Sequence, residues 1–575
     1  MCSRLSGITM ILLIASVTTN YGQDIESIDK ENPVQLTGGL SFNSSFYNAN
    51  GIPKRRSPFS YSLSGSPVLT LYGISMPFTF TYSDEQSNFS QPFNRFGVSP
   101  YYKWVKLHLG YRNVKFSPYT LGGQTFLGAG IELTPGILRF GAIYGRFRES
   151  IEEDLSLPGD SGLYRAPLPS YARKGYAFKL GIGNQDNYID FIYFKAKDDP
   201  NSLEEDPVKY DVDPAENAVL GISKKITFFK SLSWQTDIGI SLYTQNVMLE
   251  ALDDSTIKGS SILDNFVEPN ISTQLLLAGE TSLKLTRKTY SLQLKYKRVD
   301  PEYKSMGIYY MQSDLEQYTF TPSFHLFKNK LMASGSIGYQ KDNLYGKKAL
   351  RTGRTIGSAN ISFNPNQKYG LNLVYSNYGF RQNSSGLLDR YTDSMLVHQV
   401  SQNISLIPRI SFMKEKANHV VFLNVGYQET RNKNILNNMV SDMTSLNYSA
   451  NYSFFHIASG TSFTPSVFIN STTVQAGKLK STGTSVNLSK PFFSNRLRNA
   501  LMLSYTSNQF DGQRDGHTIN INGSLQYALS KNMNHNLNLG FTWIRNVSEQ
   551  DIKSELAQTE SFTESIGNVG YSYHF

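Results

Sequence analysis

Cysteine is almost absent from this chain: Cys2 is the only one in 575 residues. It lies in the N-terminal leader described below, so the chain that remains has no thiol, which excludes disulfides and cysteine catalysis. Cys2 precedes the apolar stretch of that leader, so it is not placed for lipid acylation. Tryptophan is scarce (3), and charged residues make up only 18% of the chain, against roughly 25% in soluble domains. Beyond the leader no stretch approaches the roughly 18 consecutive apolar residues that a membrane-spanning helix needs. A mean hydropathy of −0.34 fits the same exclusion of a helical membrane protein. Histidines number eight, and none stands in a zinc-binding spacing such as His-x-x-x-His. His325, His419, His456, His535 and His574 all fall at the short-turn ends of their strands, far from an outer-rim hydrolase site, so no enzyme and no cofactor are expected. The net charge of +9 drops to +8 once Arg4 leaves with the leader. Lys and Arg are scattered with no dense run, so nucleic acid is not an expected partner.

What the chain has instead is tyrosine (36), phenylalanine (35) and glycine (44), among many Asn and Ser. Residues 1–23 read as a signal peptide, with Arg4 as a weak positive start and Ile8 to Val17 as the apolar core. Residues 24–34 are a short polar lead-in, too short to form a plug. From residue 35 to residue 575 one unit repeats: a strand of about 10–16 residues, then a break.

Within the strands apolar and polar residues alternate with a period of two. Leu232, Trp234, Ile238, Ile240 and Leu242 share a face, with Ser233, Gln235, Asp237, Gly239 and Ser241 opposite. Leu283, Leu285, Leu292 and Leu294 oppose Ser282, Lys284, Gln293 and Lys295. Leu537, Leu539, Phe541 and Trp543 oppose Asn536, Asn538, Gly540 and Thr542. The breaks alternate between short turns, such as Asn184–Asn187 and Lys328–Lys330, and long ones, such as 149–173 and 250–270. The fold this predicts is all-β: a single large antiparallel transmembrane β-barrel of about 22–26 strands, with short periplasmic turns and long extracellular loops. The stretch before Gly110 is the hardest to divide, because Pro77, Pro92 and Pro100 interrupt it.

The last strand carries a motif. Asn568, Gly570, Tyr573 and Phe575 match a polar residue, a glycine and two aromatics in the spacing of the C-terminal insertion signal of outer-membrane β-barrels, which this ending resembles. The resemblance implies a cell outer membrane location, membrane lipid as surroundings, and recognition of the last strand by the barrel-assembly machinery. It also implies a C-terminus on the periplasmic side, and every short turn then falls on that side. The Tyr/Asn/Ser-rich strands and the Gly-Gln end of the leader resemble outer-membrane barrels of the Bacteroidota.

Candidate chemistry is sparse. Lys106, His108 and Arg112 share the polar face of one strand, and Arg139 on a nearby strand can join them in a lumen-lining basic patch that favours anions. The alternative is a structural network in which Glu132 and similar residues pair with them. Acidic loops at 152–154, 198–199, 204–206, 211–213 and 253–254 offer oxygens to calcium, but in no defined calcium-loop spacing. A barrel this wide cannot be filled by side chains, so either loops fold inward or a partner protein plugs or caps it. The expected function is a transport channel or conduit, or the membrane subunit of a secretion or assembly machine. The alternative is a surface-binding adhesin or receptor barrel; an outer-membrane hydrolase is third.

Overall fold

The computed structural model describes residues 34–72, 74–84, 95–153, 168–204, 212–252, 266–384, 396–433, 442–530, 532–549 and 561–575. The leader therefore lies outside the described residues. Every regular element among them is a β-strand, numbered β1 to β29 in chain order. Each strand pairs antiparallel with its neighbours. The sheet closes where β2 (Gly39–Asn50) pairs along its whole length with β29 (Phe562–His574), from Gly39 opposite His574 to Asn50 opposite Thr563. Closure leaves no backbone edge facing hydrocarbon, which is why only a barrel lets strands cross a membrane.

Three pairs of short strands are halves of one stave. β1 (Val34–Thr37) continues into β2, β3 (Phe59–Gly65) into β4 (Val68–Leu71), and β6 (Arg95–Val98) into β7 (Tyr101–Tyr102). The barrel therefore has 26 staves among the described residues, an even number. The first two breaks face each other. Gly38 has φ +118°, and a Cβ there would stand 2.4 Å from the Ser66 carbonyl oxygen, so only glycine fits opposite the Ser66–Pro67 kink. The third break is at Pro100, which has no N–H to give to a ladder. Pro77, by contrast, lies within β5 (Ile74–Ser83), opposite Val68.

Alternation sorts the side chains as expected. Leu275, Leu283, Leu294, Leu539 and Phe541 are exposed on the outer face, Leu275 at 70% and Leu294 at 58%. Lipid is the solvent that satisfies such a belt, and the chain is an outer-membrane barrel. One rim, the lower, holds the C-terminus and the short turns, including a tight Lys103–Trp104 turn that breaks the sequence pattern of its strand. The upper rim holds the long connections, with two exceptions: Gln475–Ala476 and Asp511–Gly512 are two-residue turns. Asp511 and Gly512 have φ 47° and 83°, the type I′ geometry that an Asp-Gly pair favours.

The inner face is not uniform around the barrel. From β21 (His398–Met413) to β28 (His535–Ser548), paired inner positions carry no Asp, Glu or Lys among the described residues. Asn and Ser dominate there, and their hydroxyls bond across the ladder, as in Ser462–Ser489 at 2.8 Å and Ser481–Asn508 at 2.8 Å. The opposite wall, from β8 (Val105–Lys115) to β17 (Leu315–Leu326), is charged, and two upper-rim loops pack against it.

Candidate functional site

The two inward loops span Phe116–Leu121, between β8 and β9 (Gly122–Leu133), and Asp300–Asp314, between β16 (Tyr290–Val299) and β17. Their apolar side chains have no lipid to face, so they turn into the barrel. Phe116, Tyr119, Leu121, Tyr303 and Met306 form one buried cluster with wall residues such as Phe126, Phe147, Phe194 and Val219. The loops also bond to each other. The Tyr303 hydroxyl donates to the Tyr119 carbonyl at 2.6 Å, and the Ser305 hydroxyl to the Thr120 carbonyl at 2.6 Å. Burial pushes both phenols up from their ordinary range, so they stay protonated donors. The wall holds the pair through Asn217, fully buried on β13 (Glu216–Phe228), whose Oδ1 accepts from the Met306 N–H at 3.0 Å. Loop folding, one of the two ways to occupy a wide barrel, thus covers one sector of the wall.

The far end of the second loop is pinned by Asp314. Burial works to raise its carboxyl, but the Lys348 ammonium and the N–H groups of Leu344 and Asn343 outweigh it and hold the group below the ordinary carboxylate range. A lowered folded value means stabilisation that is complete above the unfolded pKa of about 3.9 and lost as pH falls through the folded value. Acidification below about pH 4 is therefore expected to release the Leu344 amide, read as a fall in its hydrogen-exchange protection, taken against the intrinsic rate at each pH, that Asp314→Asn does not show.

Beneath these loops lies the charged wall. His108 is buried, with Nε2 2.9 Å from Glu132 Oε1 and Nδ1 3.0 Å from Ser99 Oγ. Glu132 also draws Lys106 (3.8 Å) and Lys179 (3.5 Å). One carboxylate thus gathers three cationic or titratable groups. Arg112 has no carboxylate partner among the described residues. It donates to Thr79 Oγ1 at 3.0 Å and to the Pro77 carbonyl at 3.4 Å, and its Nε is buried with no acceptor. Lys106, His108 and Arg112 together line a hollow of about 410 Å³ with Pro77, Thr79 and Ser99.

Arg139 lies apart. It sits on β10 (Leu138–Arg148) and forks onto Asp190 at 2.7 and 2.8 Å, with its guanidinium 4.3 Å over the Tyr188 ring. Asp190 stands 51 residues along, so only the folded register discloses the pair. The hollow thus holds two cations, Arg112 without a carboxylate partner among the described residues and Lys106 on the shared Glu132 carboxylate.

The acidic loops resolve in part. Asp198 is no calcium ligand: both its oxygens are taken by guanidinium groups, Arg173 at 2.7 and 3.0 Å and Arg148 at 3.0 Å. Glu152 accepts from the Glu204 N–H at 3.1 Å. Asp154, Glu205, Asp206, Asp211, Asp253 and Asp254 lie outside the described residues.

At the last strand, Asn568 and Gly570 face the lumen, whereas Tyr573 stacks on His535 at 4.3 Å and Phe575 packs tilted against Tyr573 with ring centroids 5.2 Å apart. The Phe575 N–H donates to the Gly38 carbonyl at 3.1 Å, which ties the final residue to the first stave.

No family model matches the chain, and no curated protein does. Solved structures that it resembles include Acinetobacter baumannii OccAB2, Pseudomonas aeruginosa OpdK with vanillate and Pseudomonas aeruginosa OprD. Identities are 11%, 12% and 11%, each over 63% of this chain and 92%, 93% and 89% of the other, all at a TM-score of 0.31. The barrel assignment rests on this chain's own strand pairing.

Proposed function

We propose that the barrel is a passive outer-membrane channel with a weak preference for anions. The observation that carries this reading is a closed wall of 26 staves whose inner face is charged or Asn- and Ser-rich outside the sector that the two loops cover. With strands ~4.8 Å apart and tilted ~40°, a circular section would be roughly 50 Å across. The two inward loops lie against one sector of it only. The anion preference rests on the hollow of Lys106, His108 and Arg112. The periplasmic face is the rim of short turns, and the barrel-assembly machinery reads the last strand.

Planar bilayers with purified protein in KCl test this. Ohmic steps are expected, with a reversal potential on the anion side in a salt gradient. Lys106→Ala combined with Arg112→Ala is expected to lower the Cl⁻/K⁺ permeability ratio about twofold. A folded, heat-modifiable barrel that passes no current would overturn the reading.

A second reading follows from the one-sided packing of the loops: a partner protein fills or caps the remaining lumen, and the barrel is the membrane subunit of a larger machine. Co-purification of a stoichiometric partner in mild detergent, with conductance seen only after its removal, is the result that would favour it.

A further inference from the structure

The seam where β28, β29, β2 and β3 meet holds a second hollow, of about 450 Å³. Its lining is unlike that of the first. Asn43, Ser60, Ser62, Ser524, Asn538 and Asn568 give it three carboxamides and three hydroxyls, and no lining residue carries a charge. Elsewhere on this side of the barrel inner hydroxyls are committed to one another, as in Ser466–Ser485 at 2.5 Å and Ser445–Thr472 at 3.0 Å. At the seam those six side chains make no such bond among the described residues. Their donors and acceptors are left for whatever occupies the lumen. Gly570 sets the depth: a Cβ there would come within 2.8 Å of Asn43 Oδ1, so any larger residue would push that carboxamide into the hollow.

Each hydroxyl both donates and accepts, and each carboxamide offers two donors and one acceptor oxygen. That mixture, without charge, complements a ligand whose own groups are also both donor and acceptor. Ions and zwitterions gain nothing from it, because no group here compensates their lost hydration. We infer that the seam hollow is a binding site for uncharged polyhydroxylated solutes, of the size of one or two sugar rings. The site rests on the channel reading above, for which it names a cargo class. It adjoins the anion hollow across β5: Ser83 lines the seam hollow, and Thr79 and Pro77, nearer the short-turn end of the strand, line the anion hollow. Tyr61, the one aromatic of the lining, alternates with the inward-facing Ser60 and Ser62, so binding rests on hydrogen bonds and is weak, as a site on a throughput path requires.

Saturation-transfer NMR on the purified full-length barrel in detergent, with maltose and with glucuronate as probes, tests this. Maltose is expected to bind in the millimolar range and glucuronate at least about tenfold more weakly. Ser60→Val with Ser62→Val keeps the shape, lies away from the last strand, and is expected to weaken maltose at least about tenfold. Asn568→Leu should do the same. If it fails to assemble, as judged by heat-modifiable mobility, the serine pair still decides. Absence of maltose binding to the folded wild-type barrel, equal binding of glucuronate, or binding unchanged in the serine pair would overturn the site. Planar-bilayer current separates the two claims: binding without conductance sinks the channel and leaves the site, and conductance without binding does the reverse.

Discussion

Replacing Asp198 by Ala is expected to lower the barrel's unfolding free energy by about 3–5 kcal/mol, the cost of stripping a buried ion pair of one member. Asp198 is 1% exposed at the upper end of β12 (Tyr188–Asp198). Arg173 grips both its oxygens, and Arg148 adds a third contact from two staves away. The Ala215 N–H donates to the same carboxylate at 3.2 Å, tying the start of β13 to the clamp. Without the carboxylate, two guanidiniums sit side by side and largely out of water, with repulsion where there was attraction. Asp198→Asn keeps the shape and loses the charge, and should recover only a minority of the loss. Urea unfolding in liposomes, followed by tryptophan fluorescence, measures the difference. A loss under about 1 kcal/mol would show that the three side chains are hydrated as an ordinary surface pair.

The second large effect is on the pore. Excising residues 302–310 and bridging with Gly-Ser-Gly removes Tyr303, Ser305 and Met306 together, and with them the support for Tyr119. Single-channel conductance is expected to rise at least about twofold, since the excised mass occupies lumen and not wall. Asn217→Ala is the point version. Asn217 joins Ser241, the Leu242 carbonyl and the Met306 N–H through contacts of 2.8, 2.9 and 3.0 Å. Its removal should cost about 1–3 kcal/mol for the groups it leaves unpaired, and appear as flickering between two conductance levels. Identical conductance in both variants would mean that the loops lie flat against the wall and constrict nothing.

The wall of this barrel was written in the sequence in a way that its contents were not. Alternation is local, so Leu283, Leu292, Leu539 and Phe541 disclosed their outward face from their nearest neighbours alone. Strand number followed, and the breaks at Gly38, Pro67 and Pro100 hid only the fact that short strands join end to end. The hollow of Lys106, His108 and Arg112 was legible for the same reason, all three lying on one face of one strand. Arg139 was not, because its fate depends on Asp190 two staves away. Asp198 read only as one of several acidic loop oxygens in no calcium-loop spacing, because it is the register that sets two arginines beside it. The inward loops did leave a mark, in Phe116, Tyr119, Tyr303 and Met306, apolar residues where a solvated loop would carry polar ones. The seam hollow left none, because an isolated Ser or Asn on an inner face reads alike whether it is bonded or free.

The joining of β2 to β29 fixes the order of events during biogenesis. Until β29 is in place the opening strand has no mate, so a chain cut short before Phe562 cannot seal and leaves two raw strand edges open to proteolysis. Wholeness is thus inspected by geometry, before any question of cargo arises.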